Sequence, residues 1–306
     1  MLSEPKVSAA IITFNSEKFI EQAIESVLSQ DYLNIEIIIS DDASTDNTPK
    51  ILEKYSTQHP DKIKILLAKK NLGATENWFK CVNTCKGKYI ACLAGDDEFL
   101  PGKISKQVNI MEKDSDISIC YSDASVFDIK NNVEIYRLSM RAPTLSGNIK
   151  TALSDSIYYS PTIMFRKELT PEVDIFKGIR HATDLAFYKE IMIRSFPEGK
   201  IYYLPEVLYI YKKHDKNITV TSKDHYTEHV QAIKILQKKY PKYAEYLNPS
   251  IYDFCCVAFF KNIMRFEYRK GSYFLHEGLR AAKSNPFKFF RALFWGVKFY
   301  VKKYVK

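Results

Sequence analysis

Three short polar clusters directly follow apolar runs in the first hundred residues: Thr13-Phe14-Asn15, Asp41-Asp42-Ala43-Ser44 and Gly95-Asp96-Asp97-Glu98. Converging carboxylates are costly to desolvate unless they face water, a cation or hydrogen-bond donors. The pair after Gly95 can hold Mg2+ or Mn2+, with water and ligand phosphates filling the remaining octahedral positions. Asp42 can accept a hydrogen bond from a nucleobase N–H or a ribose hydroxyl. Turn-forming and helix-capping roles are the competing reading, and Asp46 fits it directly, just ahead of a helix.

These clusters meet only if the apolar runs before them are parallel strands with a common carboxyl edge, where open α/β sheets bind ligands. The pattern predicts strands over 7–12, 35–40, 63–67 and 89–93, each a continuous apolar run of the kind buried on both faces. Helical periodicity separates them: 17–30 with Ser16 as N-cap, 45–55, and 76–85. Strand and helix thus alternate, which implies right-handed parallel crossovers. Beyond Pro101 a helix over 102–113, a strand over 118–125, a mixed stretch to 165, a helix over 184–194 and a strand over 201–211 are expected. The chain from about 223 onward reads as helical.

Composition narrows the classes further. With 46% hydrophobic residues in 306, disorder and a disulfide-stapled miniprotein are excluded. The net charge of +9 suggests an anionic partner, but its position matters more than its size. No acidic residue follows Glu277, while eight basic ones do, leaving residues 1–277 with 37 basic and 36 acidic groups. A diffuse nucleic-acid-binding surface is therefore disfavoured. Six cysteines without a CxxC pair read as buried free thiols of a reduced, cytoplasmic protein. No secretory signal is visible at the N-terminus, and no run approaches the roughly 18 apolar residues of a spanning helix.

Together VSAAIITFN, SVLSQDY, IEIIISDDASTDNT, KNLGATENW and GKYIACLAGDDEFLPGKI resemble the family-2 inverting glycosyltransferases with a GT-A fold, of the bacterial cell-surface polysaccharide type. The resemblance is dense over 7–106 and thinner to about 220. It implies a Rossmann-like α/β fold with a mostly parallel central sheet and a C-terminal helical extension. It also implies a nucleotide-sugar donor, most often UDP-linked, and Mn2+ or Mg2+. On this pattern residues 1–100 form the nucleotide-sugar half, 101–222 the acceptor half, and 223–306 a helical region with a basic tail.

Carried over by position, Thr13, Phe14 and Asn15 line the nucleotide pocket and Asp42 contacts the base. Lys70, Asn71 and Gly73 flank the nucleotide. Asp96 and Asp97 resemble the end of a DxD-type metal motif, although Ala94 stands where many relatives carry the first Asp. An inverting transfer needs a base for the acceptor hydroxyl. The resemblance places it at Asp184, with Thr183 where Glu is common; a carboxylate at a helix start is also an ordinary dipole partner. His214 resembles a Tyr-Arg-x-His segment that completes the metal shell, with Lys212 and Lys213 as point charges for the diphosphate; a solvated basic turn is the alternative. Ser160-Pro161-Thr162 and the following Ile163 to Arg166 resemble the acceptor-side strand, with turn and core roles also open. The QxxRW signature of processive synthases is absent, so single-sugar addition is expected.

The departures at Ala94 and Thr183 keep a second class open, a catalytically inactive nucleotide-sugar-binding or assembly protein. A dinucleotide-binding Rossmann enzyme needs a glycine-rich turn after the first strand, and ITFNSEKF has no glycine. A phosphoacceptor receiver domain is far shorter and needs no second acidic pair. Finally, 286–306 separates Phe287, Phe290, Phe294, Val297, Tyr300 and Tyr304 from six basic residues. That face pattern suits a helix in the plane of an anionic membrane, here the inner face of the cell membrane, or alternatively a docked C-terminal helix.

Overall fold

A computed structural model describes residues 4–140, 144–154, 160–222, 224–264 and 267–282. The expected alternation is present: β1 (Val7–Thr13), α1 (Ile20–Leu28), β2 (Ile35–Asp41), α2 (Thr48–Gln58), β3 (Ile63–Leu67), α3 (Ala74–Thr84) and β4 (Tyr89–Ala94). There follow β5 (Glu98–Phe99), α4 (Lys103–Lys113), β6 (Ile117–Asp128), β7 (Val133–Arg137), β8 (Gly147–Asn148), α5 (Ile149–Ser154) and β9 (Met164–Arg166). The chain continues through α6 (Asp184–Arg194), β10 (Lys200–Lys213), α7 (Ile218–Thr221), α8 (His225–Lys239), α9 (Ala244–Met264) and α10 (Tyr268–Ala281).

One sheet runs in the order β3-β2-β1-β4-β9-β6-β10-β5, with β7 on β6 and β8 on β10. β3, β2, β1 and β4 are mutually parallel, and β6 is parallel to β10. β9 lies between β4 and β6, antiparallel to both. Two antiparallel steps restore direction, so β10 points the same way as β1, β2 and β4. The 200–213 strand therefore delivers its carboxyl end to the edge where the acidic clusters lie.

Apolar runs become strands here because both faces of the sheet are covered. In β1, Val7, Ala9 and Ile11 pack with α1, α2 and α4, while Ala10 packs with α3 and the later helices. Tyr89, Ala91 and Leu93 of β4 share the first face, and Ile90 and Cys92 the second. Phe187 of α6 makes edge contacts with Trp78 and Phe79 of α3 and with Phe165 of β9, anchoring α6 beside the first half. All six cysteines are buried and free.

Two local expectations change. Ser16 does not cap α1: its carbonyl accepts from the Phe19 and Ile20 amides and its hydroxyl donates to the Phe14 carbonyl, so a turn delays the helix to Ile20. Thr162 turns inward rather than toward an acceptor. It is fully buried, and its hydroxyl oxygen accepts from the Ser122 amide. The basic segment 286–306 lies outside the described residues.

Candidate active site

The loops after β1 and β2 are tied together. The Asn15 amide donates to Ser44 Oγ (2.7 Å), Asn15 Oδ1 accepts from the Thr45 amide (2.8 Å), and Ser44 Oγ donates to Asp41 (2.5 Å). Asn15 and Ala43 both take positive φ, 52° and 60°. Asn tolerates that region; for Ala it is backbone strain, concentrated between two acidic strand ends. Asp46 does serve the helix start, accepting from the Thr48 amide, and it also accepts from the Glu17 amide across the two loops. Thr13 is buried, and a Cβ on Gly95 would approach it to 2.7 Å, so only glycine permits this closeness of β1 and β4. Phe14 is half exposed beside these loops.

Asp42 is buried, and both its oxygens accept backbone N–H groups: Leu72 at 2.6 Å and Gly73 at 2.9 Å. Asn71 Nδ2 donates to the Asp42 carbonyl (3.2 Å). The structure thus brings Asp42, Asn71 and Gly73 together, with Asp42 shaping the segment that carries Lys70. Gly73 has φ 91°, and a Cβ there would lie 2.5 Å from Arg180 Cγ. Arg180 donates to Asn71 Oδ1 (2.5 Å) and accepts the Thr75 amide on its carbonyl.

A second group assembles from β4 and β10. Asp96 Oδ2 lies 2.9 Å from His214 Nε2 and accepts from Asn217 Nδ2 at 3.3 Å. The His214 ring stacks on Phe19, and its amide donates to Asn217 Oδ1 (2.6 Å). Asp97 is fully buried: Tyr209 O–H donates to one oxygen and the Lys212 amide to the other, both at 2.8 Å. Burial, then the neighbouring Asp96 charge, pushes the Asp97 carboxyl well above the usual carboxylate range. Lys212 is buried and paired with Glu98 (2.5 Å), donates to Gln22 and sits over the Phe19 ring. Lys213, next in the strand, is exposed and opposite Asp128.

These donors suit a cation that shares its sphere with a ligand. An oxygen and a nitrogen 2.9 Å apart match neighbouring positions of an octahedron with bonds near 2.1 Å, whose edge is about 3 Å. Among the described residues no group of three or more His, Cys, Asp or Glu is placed to hold a metal by itself. Phosphate and water oxygens would have to complete the shell.

Asp184 opens α6, with about half of its side chain exposed. Thr183 just before it is buried, its hydroxyl 3.2 Å from that of Thr75 at the start of α3. The loop ahead of Asp184 is therefore held directly against the segment that Asp42 organises.

Comparison with known proteins decides the family. The family model described as "Glycosyl transferase family 2" matches residues 8–173. EpsE of Bacillus subtilis (strain 168), named a glycosyltransferase, is 32% identical over 210 residues, 68% of this chain and 73% of its own. TuaG of the same organism, named a teichuronic acid biosynthesis glycosyltransferase, is 28% identical over 63% of this chain and 74% of its own. The chain belongs to glycosyl transferase family 2. The solved TarS of S. aureus (residues 1–349, in complex with UDP-GlcNAc) superposes with a TM-score of 0.59, covering 91% of each chain at 15% identity. The fold is accordingly GT-A, and the protein is a glycosyltransferase.

For a family-2 enzyme the site holds residues that the motifs do not single out. Tyr209 and Asn217 hold Asp97 and Asp96, and they flank His214 in sequence, which is the one signal that could have found them. Phe19, Gln22 and Arg180 carry no such signal, since each reaches the site through a packing decision made elsewhere in the chain.

Proposed function

We propose that this glycosyltransferase moves a single sugar, with inversion, from a nucleotide-sugar donor to a hydroxyl of a saccharide or lipid-linked saccharide. The observation that carries the reading is the meeting of Asp96 and His214 on the ligand-binding edge, beside loops held by Asp42. UDP is the favoured nucleotide, since TarS, which shares the fold, was solved with UDP-GlcNAc. TuaG's name, with its reference to teichuronic acid biosynthesis, favours a saccharide acceptor. Residues 1–100 supply the donor side, with Thr13, Phe14, Asn15, Lys70, Asn71 and Gly73 around the nucleotide. Residues 101–222 supply the acceptor side.

Asp184 takes the proton of the acceptor hydroxyl as that oxygen attacks the anomeric carbon. The bond from that carbon to the diphosphate oxygen breaks, and the nucleoside diphosphate leaves with the bonding pair. Asp96 and His214, with Asp97 behind, would hold Mn2+ or Mg2+, which when bound would supply Lewis-acid charge for the departing diphosphate. Lys212 fixes Glu98 and Gln22 from within, and Lys213 is the lysine free to meet solvent-borne phosphate. The Asp184 carboxylate, at the first position of α6 and half exposed, is open to an incoming hydroxyl.

A thermal-stability screen of nucleotide sugars with Mn2+ or Mg2+, followed by assay of nucleoside diphosphate release, tests the reading. Binding without release for every donor and acceptor would identify a binding protein on the same fold. Among the described residues no helix is long and apolar enough to cross a membrane. On its pattern of one-sign charge and aromatics, segment 286–306 is proposed as a peripheral anchor on the anionic inner face of the cell membrane. Truncation after Asn285 should release the protein from anionic vesicles while donor binding persists; equal vesicle retention would favour a docked helix.

A further inference from the structure

We infer that His229, on α8 and outside the family-matched segment, is a positioning residue that orients the Asp184 carboxylate. The inference rests on Asp184 as the base. The His229 Nε2 lies 3.8 Å from Asp184 Oδ1, with the imidazole buried and the carboxylate half exposed. The ring is fixed on both sides: Phe254 of α9 stacks on it at 4.3 Å and 8°, and His225, one turn earlier, meets it edge-on at 4.5 Å. An imidazole held this firmly presents one defined nitrogen to the base.

The tautomer follows from hydrogen-bond accounting. His229 Nδ1 is buried with no hydrogen-bond partner among the described residues. A buried N–H without an acceptor costs more than a lone pair without a donor, so the proton belongs on Nε2, facing Asp184. Burial lowers the basicity of His229 and the Asp184 charge opposes that, so the ring stays a neutral donor near neutral pH. The charged or titratable groups around the pair are Tyr188 of α6, which feels the Asp184 charge, His225 and Glu228 on α8, and Arg180 and His181 in the loop that Glu228 holds. Across 3.8 Å the Nε2–H dipole points at the carboxylate and orients it without closing a hydrogen bond, leaving it open to an acceptor.

The preceding residue of α8 grips the same loop. Glu228 accepts the amides of His181 (2.8 Å) and Arg180 (3.2 Å), three and four residues before Asp184. Arg180 in turn reaches Asn71 on the donor side. Helix α8 therefore sets the base from its carboxylate and from its backbone together, linking it to the nucleotide segment.

Two variants separate positioning from packing. His229→Phe keeps the ring stacked on Phe254 and removes the N–H, whereas His229→Gln keeps a donor. Positioning predicts that His229→Phe lowers kcat about tenfold with donor KM unchanged, and that His229→Gln partly rescues it. A Phe variant with wild-type kcat at wild-type Tm overturns the inference while Asp184 remains the base. Imidazole nitrogen NMR gives a readout independent of turnover, with Nε2–H as the expected tautomer. In Asp184→Asn the His229 titration should shift to lower pH, because a neighbouring negative charge is lost. An Nδ1–H tautomer, or a His229 titration indifferent to that substitution, would also overturn it. Wild-type turnover in Asp184→Asn would instead remove the base reading itself.

Discussion

Asp42 and Asp97 lie just past strands of a sheet covered on both faces and give both side-chain oxygens to donors of the chain, whereas Asp184 opens a helix and keeps half its side chain in water. The first pair is immobile because its partners are backbone amides and a buried tyrosine. Such carboxylates shape a pocket. The base role proposed for Asp184 needs an open lone pair and an orientation imposed from the side, which the proposal assigns to α8. The first-half carboxylates are thus fixed by the sheet, whereas the surroundings of Asp184 are set by later helices leaning on it.

Substitution at the open carboxylate should produce the largest loss of turnover. Asp184→Asn should reduce transfer by ~10²–10⁴-fold while nucleotide-sugar binding, read by calorimetry, stays at wild type. Activity near wild type would place the base elsewhere. Asp96→Ala and Asp97→Ala should both abolish metal-dependent donor binding, but only Asp97→Ala should lower stability markedly. It strands the Tyr209 hydroxyl and the Lys212 amide, at a cost of about 1–3 kcal/mol each in principle. Equal Tm values for the two variants would erase the distinction between scaffold and ligand.

Gly73→Ala tests the join between the halves. Its φ of 91° and the Arg180 contact at 2.5 Å make a side chain strained and crowded there. A loss of about 1–3 kcal/mol is expected, with a raised donor KM, as the 71–73 segment parts from Arg180. Glu36→Gln should have the smallest effect, on the order of 1 kcal/mol, and its pH dependence is distinctive. Burial alone would raise Glu36, but the Ser8 hydroxyl, the Lys86 amide and Lys6 overcome it and hold the carboxyl below its ordinary range. Its contribution is therefore fully present above the ordinary Glu pKa and lost as pH falls through the lowered value. The gap between wild type and Glu36→Gln in denaturant midpoints should narrow below about pH 4.

Much of the donor half was legible because its information is local. Continuous apolar runs at 7–12, 35–40 and 89–93 must be doubly buried strands, and the residues that end them must reach the carboxyl edge. The expected strand at 118–125 was recognised but short of its real extent, Ile117–Asp128. The antiparallel insertion of β9 between β4 and β6 was not legible, because three residues carry too little pattern to reveal their partners. Ser16 looked like a cap because the cap signature is only a residue type before a periodic run. Its carbonyl turn with Phe19 and Ile20 depends on how the β1 and β2 loops interlock.

By itself the sequence determined the alternating α/β class and the list of carboxylates, since each follows from residue type and spacing along one strand or turn. The family entered as a resemblance of motifs that the comparisons then bore out. Tertiary structure decided how those carboxylates differ. Asp42 and Asp97 each give both oxygens to donors of the chain, Asp96 meets His214 from more than a hundred residues away, and Lys212 is turned inward to Glu98. Burial and hydrogen-bond partners are properties of a packed neighbourhood, and no short stretch of chain contains its neighbours.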